Sequence, residues 1–378
     1  MELRKLEQQE HIITRALWES VFKEDTKAFL DYYYSVKTKK NEIYVIDEDA
    51  DIRAMLQLNP YRLKVEDVVC RTHYIIGVAT QEAYRGRKMM QKLLLQAMQD
   101  MYRRKEPFTF LMPAAEAIYT PYDFRFVYKQ RQRMLCGKKS RADLRIEQAE
   151  MKDAGRIAVF ARKVLKEKYQ VYAVRNKEYY ETMIQEQASE GGHTGIVMEG
   201  RKPVGILFYT ENEIEIMEPL FLDGREDALY HAIYELTGDE TTKVPVIAWE
   251  EGGSTAGDRG IDKPVIMARI LHIESFLKML KTIDGQPLCC SFAIIDPWML
   301  QNNRILKMEY VPEEQEMRIS DTEDSDGVFT IDAFTSLIFG YRTMEEIEKD
   351  DGVLLTEKLR MEFQKIDMLN RIFLNEFV

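Results

Sequence analysis

The chain is poor in the residues from which metal centres and disulfide frameworks are built. Its 378 residues include four cysteines (Cys70, Cys136, Cys289, Cys290) and five histidines (His11, His73, His193, His231, His272). Neither set shows metal-ligand spacing, and a bridge between adjacent Cys289 and Cys290 would be strained. Reduced thiols and no bound metal are expected. No run approaches a membrane span, and the opening Met-Glu-Leu-Arg-Lys-Leu-Glu-Gln-Gln-Glu lacks an apolar signal segment, so a cytoplasmic protein without a membrane partner is predicted. An excess of positive charge is missing too. With 53 Lys and Arg against 64 Asp and Glu, the net charge of −11 argues against a nucleic-acid partner and favours a cationic substrate drawn to an acidic surface. Nothing resembles a Gly-x-Ser-x-Gly elbow or a Walker turn. What is present is core material: 45% hydrophobic and 31% charged residues describe a globular protein, and this length predicts two or three domains.

The most informative stretch is 78–124. An apolar strand over 74–80 runs into a turn with Arg85, Gly86 and Arg87, and the turn opens a helix that places Met90, Leu93, Leu94, Ala97 and Met101 on one face. Free backbone N–H groups, the positive end of the helix dipole and two guanidiniums make that turn an anion cradle, with Gly86 allowing close approach. The alternative is an ordinary strand-to-helix turn with a basic, solvated face. A second strand over 108–112 leads to an aromatic cluster around Tyr119, Tyr122 and Phe124.

Upstream, residues 3–6 suit a short strand and 7–34 carry a helical pattern. Its Trp18, Glu19, Glu24, Asp25 and Asp31 read either as a solvated face or as a cation-binding rim. Strands follow at 42–46, 52–58 and from near Asp67, and 125–135 reads as a strand closing a first mixed α/β domain. From 140 the pattern partly repeats: helices at 151–168 and 177–187, strands at 194–199, 203–210 and 214–221, a helix at 225–236 and a strand at 244–249. That order suggests an internal duplication whose second copy lacks the basic turn at 222–226. Residues 250–258 have linker composition. Beyond them come strands at 265–270, 288–295, 304–310 and 316–320, and helices at 273–280, 329–339, 343–349 and 354–363.

The order strand, Arg-Gly-Arg turn, amphipathic helix, strand and aromatic cluster resembles the acetyl-CoA site of the GNAT N-acetyltransferases. In that superfamily the turn carries Arg/Gln-x-x-Gly-x-Gly/Ala, and its backbone binds the pyrophosphate of coenzyme A. Arg85 matches the first position, Lys88 stands where Gly is usual, and Met90 where a small residue is usual. The segment 334–341, Phe-Thr-Ser-Leu-Ile-Phe-Gly-Tyr, resembles a sterol-carrier-protein-like fold. Together the chain resembles the enhanced intracellular survival (Eis) family of N-acetyltransferases. The resemblance implies an α/β (α+β) chain with a GNAT domain at 1–139, a degenerate second GNAT-like domain at 140–262 and a sterol-carrier-like domain at 263–378. It also implies a homo-hexamer and, as acceptor, a small cationic amine, possible aminoglycosides included. Acetyl-CoA is assigned to Val78, Ala79, Thr80, Arg85, Gly86, Arg87, Lys88, Met89 and Met90, and the acceptor to Trp18, Glu19 and Asp25. Within Ile118-Tyr119-Thr120-Pro121-Tyr122-Asp123-Phe124 the family register makes Tyr119 the general acid, and the C-terminal carboxylate of Val378 the base. The family often has Gly at the place of Asp123 and an aromatic residue at the end of the chain.

Elementary chemistry fits those roles. Direct transfer needs an amine to lose a proton, a thioester carbonyl to be polarised and a thiolate to leave. A backbone N–H at Val78 or Thr80 can hold the carbonyl oxygen, and a phenol suits a thiolate of similar basicity. A terminal carboxylate needs its pKa raised by burial among Phe373, Phe377 and Val378 to act as base. Against these stand a packing role for one tyrosine among 20 and a frayed tail at Val378. Rival readings are a degenerate coenzyme A or lipid-binding protein and a peptide or protein acetyltransferase.

Overall fold

A computed structural model describes residues 1–49, 51–249 and 260–376. The linker expected at 250–258 and the base expected at Val378 lie outside the described residues. The chain folds as mixed α/β sheets covered by helices.

In the first unit β1 (Glu2–Lys5), β2 (Glu42–Glu48), β3 (Asp51–Val65) and β4 (Val68–Thr80) form an antiparallel run, and α3 (Met89–Arg103) crosses over to β5 (Phe108–Leu111), which lies parallel to β4. Between β1 and β2 lie α1 (Arg15–Val21) and α2 (Lys27–Ser35), and after β5 come α4 (Glu116–Tyr119) and β6 (Arg125–Cys136). The alternation of apolar side chains gives this sheet two greasy faces. One packs Tyr44, Leu56, Leu58 and Ile75 against Leu93, Leu94, Ala97 and Met101 of α3; the other packs Ile43, Val45 and Met55 against Leu17, Phe29 and Tyr33 of α1 and α2. The continuous helix expected over 7–34 is broken at residues 22–26. Trp18 ties back to Asp25, and the Thr26 hydroxyl caps α2 by accepting from the Phe29 N–H.

The second unit repeats the plan. It contains β7 (Leu144–Gln148), α5 (Ala154–Lys168), β8 (Val171–Ala173), α6 (Lys177–Ser189), β9 (Gly192–Glu199), β10 (Lys202–Thr210), β11 (Ile216–Phe221), α7 (Glu226–Thr237) and β12 (Lys243–Ile247), with β11 and β12 parallel across α7 as β4 and β5 are across α3. The third contains β13 (Ile261–Ile270), α8 (Ile273–Leu277), β14 (Leu288–Ile295), β15 (Ile305–Val311), β16 (Glu316–Asp321), β17 (Gly327–Thr330), α9 (Ile331–Ile338), α10 (Met344–Ile347), β18 (Leu354–Leu355), α11 (Glu357–Phe363) and β19 (Ile372–Phe373).

The units exchange strands. The main sheet runs β1-β2-β3-β4-β5-β13-β6-β12-β11-β10-β9-β7, so β13 borders β5 while β6 leaves the first unit and pairs with β12. The strand 125–135, expected to close the first domain, therefore closes the second at its far end, and the division expected at 262/263 falls inside a strand shared with the first. Local patterning reveals that a strand exists, not its neighbour, and hydrogen-bond partners distant in sequence decide the outcome. A separate five-stranded sheet, β16-β15-β14-β17-β18, lies under α9 and α11. β19 pairs with β8, and β8 with β3, which carries the last described residues back between the first two units.

Candidate acetyl-donor site

The site begins with a fault in β4. The β3–β4 ladder passes from Gln57↔Ile76 to Met55↔Ala79, so Leu56 alone faces both Gly77 and Val78. This is a β-bulge. Gly77 has φ +58°, and a Cβ there would lie 2.6 Å from the Trp18 ring, so both backbone and packing call for glycine. Past this point β4 and β5 separate: they pair only at Tyr74↔Phe110, and the next N–H of the β5 chain, Met112, donates to the Tyr74 hydroxyl (3.3 Å) instead of to β4. The edge of β4 from 78 to 80 thus opens onto a cleft, with Val78 leaning on the α3 core and Ala79 buried on the opposite face.

The turn follows directly. Gly86 has φ +77° with open space where a Cβ would stand, and Lys88, at the N-cap of α3, takes φ +59° and ψ +23°. The residue in the usual place of Gly thus keeps the left-handed backbone that explains the family's glycine, at a cost of about 1 kcal/mol. Met89 is buried and Met90 half-buried in the α3 core, so they offer the cleft their backbone rather than their side chains. No side chain caps α3, and its first turn holds no acid. Arg85, Arg87 and Lys88 are exposed, and among the described residues they make no ion pair. Arg87 and Arg53 each lie 4.6 Å from the centre of the Tyr84 ring, a cation–π contact that ties the turn to β3. Free N–H groups at the positive end of a 15-residue helix suit a pyrophosphate. The second unit inverts this chemistry: α7 opens with Glu226 and Asp227, and Arg225 is committed to Glu199 and Asp227.

Tyr119 stands at the end of α4, buried, its ring edge-on to Phe124 at 5.9 Å. Burial raises its phenol, and its hydroxyl finds no hydrogen-bond partner among the described residues. Its turn is held by two residues of the third unit and by Arg125 of β6. Arg269 of β13 donates to the Tyr122 carbonyl (2.9 Å), Trp298 to Pro121 (3.0 Å) and Arg125 to Thr120 (3.0 Å). Arg269 is fully buried against Asp296 (2.5 Å). Asp123 closes the turn with φ +64°, a second left-handed position at a place where the family often has Gly.

Burial pushes the Asp123 carboxyl up to about 6; Arg269 pulls it down, while Asp332 and Asp296 push it further up. A raised acid binds protons more readily folded than unfolded, so its ionisation erodes stability as pH rises from about 4 to about 6. Asp123→Asn, which tolerates the same backbone, should therefore stabilise the protein by about 1–2 kcal/mol above pH 7, with the gain vanishing below pH 4. Urea denaturation at both pH values reads this directly; an equal effect at both would refute the assignment.

The residues proposed to meet the acceptor are already engaged. Trp18 is 3% exposed, lies over Gly77 and donates to Asp25 (2.6 Å), while Glu19 pairs with Arg15 (2.8 Å). Trp18 and Asp25 thus support the bulge from behind. At the described end of the chain, Gln130 donates to Asn375 (2.6 Å), and Glu376 is buried beside Arg175 (2.8 Å) and accepts from Tyr179 (2.7 Å). Sequence reasoning missed Gly77, Tyr74 and Arg269. A lone glycine inside an apolar strand pattern was the available signal for the first.

A family model described as an acetyltransferase (GNAT) domain matches residues 2–127. Among curated proteins no sequence matches. Among solved structures, a protein of Enterococcus faecalis described as a "Probable N-Acyltransferase" superposes with a TM-score of 0.83 at 17% identity, covering 96% of each chain. A GCN5-related N-acetyltransferase of Anabaena variabilis gives 0.82 at 12% identity over 97% of each chain, and Eis1 of Mycobacterium abscessus 0.70 at 12% over 97% of each. Residues 2–127 thus carry a GNAT acetyltransferase domain, that of an acyltransferase, and nearly the whole chain shares the fold of proteins described as N-acetyltransferases.

Proposed function

We propose that the protein is an acetyl-CoA-dependent N-acetyltransferase that passes the acetyl group directly to a small amine. The observation that carries this reading is the splay of β4 from β5 at the Gly77 bulge, opening onto the uncapped N-terminus of α3. The pyrophosphate would rest on the backbone of 85–90, with the Arg85, Arg87 and Lys88 side chains adding charge. The thioester carbonyl would accept a hydrogen bond from the N–H of Val78 or Thr80 as it gains negative charge. As the carbon–sulfur bond breaks, Tyr119 gives its proton to the thiolate; its raised phenol stays protonated until then. The amine's proton would pass to the Val378 carboxylate, for which the tethering of Asn375 and Glu376 supplies a route into the cleft. We further propose a three-domain chain divided at 139/140 and again ahead of β13, a sterol-carrier-like third domain, a cytoplasmic location and a homo-hexamer, each on family resemblance.

A lipid-carrier role has less support. Phe292, Phe329, Phe334 and Phe363 fill the space between the smaller sheet and its helices, their ring centres 5.1 to 6.2 Å apart, where a tunnel would have to run. Release of free thiol from acetyl-CoA across an amine panel tests the proposal. Lys88→Gly should retain that activity and gain about 1 kcal/mol of stability from the relaxed backbone. Loss of coenzyme A binding in Lys88→Gly would overturn the backbone-cradle account.

A further inference from the structure

β3 has a gap along one edge. Its rungs with β2 end at Leu58 and its rungs with β8 begin at Leu63, leaving residues 59–61 without a strand partner on that side, while the Arg62 carbonyl accepts from the Val174 N–H (2.8 Å). A cavity of about 540 Å³ fills the gap, bounded by the turn Lys37–Lys40 after α2 and by Glu178 and Tyr179 of α6. That volume suits a small molecule.

Its charge is unexpected in a chain with a net charge of −11. Arg62 and Arg71 line the cavity, stand directly opposite each other in the β3–β4 ladder, and make no ion pair among the described residues; nor does Lys39. Like charges facing across a ladder destabilise it, so nothing in the fold itself accounts for the pair. The acids nearby are already spent, Glu178 on Lys40 and Glu186 on Lys37 (3.2 Å) and Tyr32 (2.9 Å). Asn59, 2% exposed, also lines the cavity, and its amide nitrogen and oxygen both lack a partner. A buried amide left so is costly, and a ligand that both accepts and donates hydrogen bonds would recover that cost.

The cavity adjoins the proposed reaction centre. Asn59 faces Tyr74 in the ladder, three residues and about 10 Å along the strand from Gly77. Tyr61 lines the cavity and packs on Tyr74 and Phe110 (6.2 and 5.6 Å between ring centres), and Tyr179 joins the cavity wall to Glu376. We infer that this gap is the acceptor's recognition pocket and that the acceptor is an amine carrying an anionic group, a carboxylate or a phosphate, several bonds from the reacting nitrogen. The cationic acceptor expected from net charge meets the wrong local sign here. This inference rests on the proposed acetyl transfer.

The test is calorimetric titration of protein saturated with coenzyme A, which occupies the α3 cradle, using two matched pairs: glucosamine 6-phosphate against glucosamine, and lysine against 1,5-diaminopentane. The anionic member of at least one pair should bind tenfold or more tightly than its partner, and which pair discriminates identifies phosphate or carboxylate. Arg62→Gln/Arg71→Gln, at exposed positions and free of the like-charge contact, should erase that preference while leaving coenzyme A affinity unchanged. Equal or tighter binding of glucosamine or 1,5-diaminopentane, a preference that survives the double substitution, or no binding of either anionic probe at millimolar concentration would overturn the inference. Failure of coenzyme A itself to bind would count against the acetyl-transfer reading instead, and titration of the free protein then reads the cavity on its own.

Discussion

Tyr119→Phe should lower the rate of acetyl transfer roughly 100-fold or more while leaving coenzyme A affinity and folding intact. The substitution removes one oxygen from a buried ring that packs on Phe124 and the α3 core, and among the described residues that oxygen makes no hydrogen bond whose loss would cost stability. A packing tyrosine would behave differently, with an unchanged turnover number. The distinguishing measurement is turnover at saturating acetyl-CoA beside the affinity for coenzyme A. A fall in turnover at constant affinity assigns a proton transfer to the phenol, and unchanged turnover removes Tyr119 from the mechanism.

Arg175→Met should cost about 3–5 kcal/mol of stability, the scale for breaking a buried ion pair by removing one partner. Arg175 is 3% exposed, and its guanidinium holds Glu218 (2.5 and 2.9 Å) and Glu376 (2.8 Å) at once. Without it, two buried carboxylates face each other. Burial already raises Glu218, against the pull of Arg175, so in the variant that acid should be raised further and be neutralised in mild acid. The deficit should therefore shrink as pH falls toward 5, because protonation removes the uncompensated charge. Transfer activity should fall as well, since the tether that brings the tail between the first two units is cut. Chemical denaturation at pH 5 and pH 8 reads the first effect, and an equal deficit at both would show that packing of the aliphatic stem dominates.

How far the sequence revealed this arrangement depends on the range of the forces involved. The strand, turn and helix around Arg85 and Gly86 were legible as elements, because the turn residues and the amphipathic run of α3 act locally; so was the place of the aromatic cluster around Tyr119, beyond the second strand. The exchange of β6 and β13 was not, because both read as ordinary strands and their neighbours are fixed by pairing over more than a hundred residues. The packing of Trp18 and Asp25 was not legible for a related reason: an indole and a carboxylate at a helix end look like a binding rim until the bulge at Gly77 is seen to need the indole behind it. Lys88 shows the reverse case. Its side chain departs from the family pattern, yet its backbone does not. Net charge is silent on the cavity because 378 residues average away three cations gathered at one gap, which make no ion pair among the described residues.

The measurement that bears most directly on the central claim is thermal unfolding of the protein with acetyl-CoA, with coenzyme A and with a fatty acid. A ligand at a hundredfold excess over its Kd stabilises the folded state by about 2.7 kcal/mol, a readily visible shift in Tm. The account predicts a clear shift with both coenzyme A forms and none with the fatty acid. No shift with either coenzyme A form, beside a shift with the fatty acid, would contradict it.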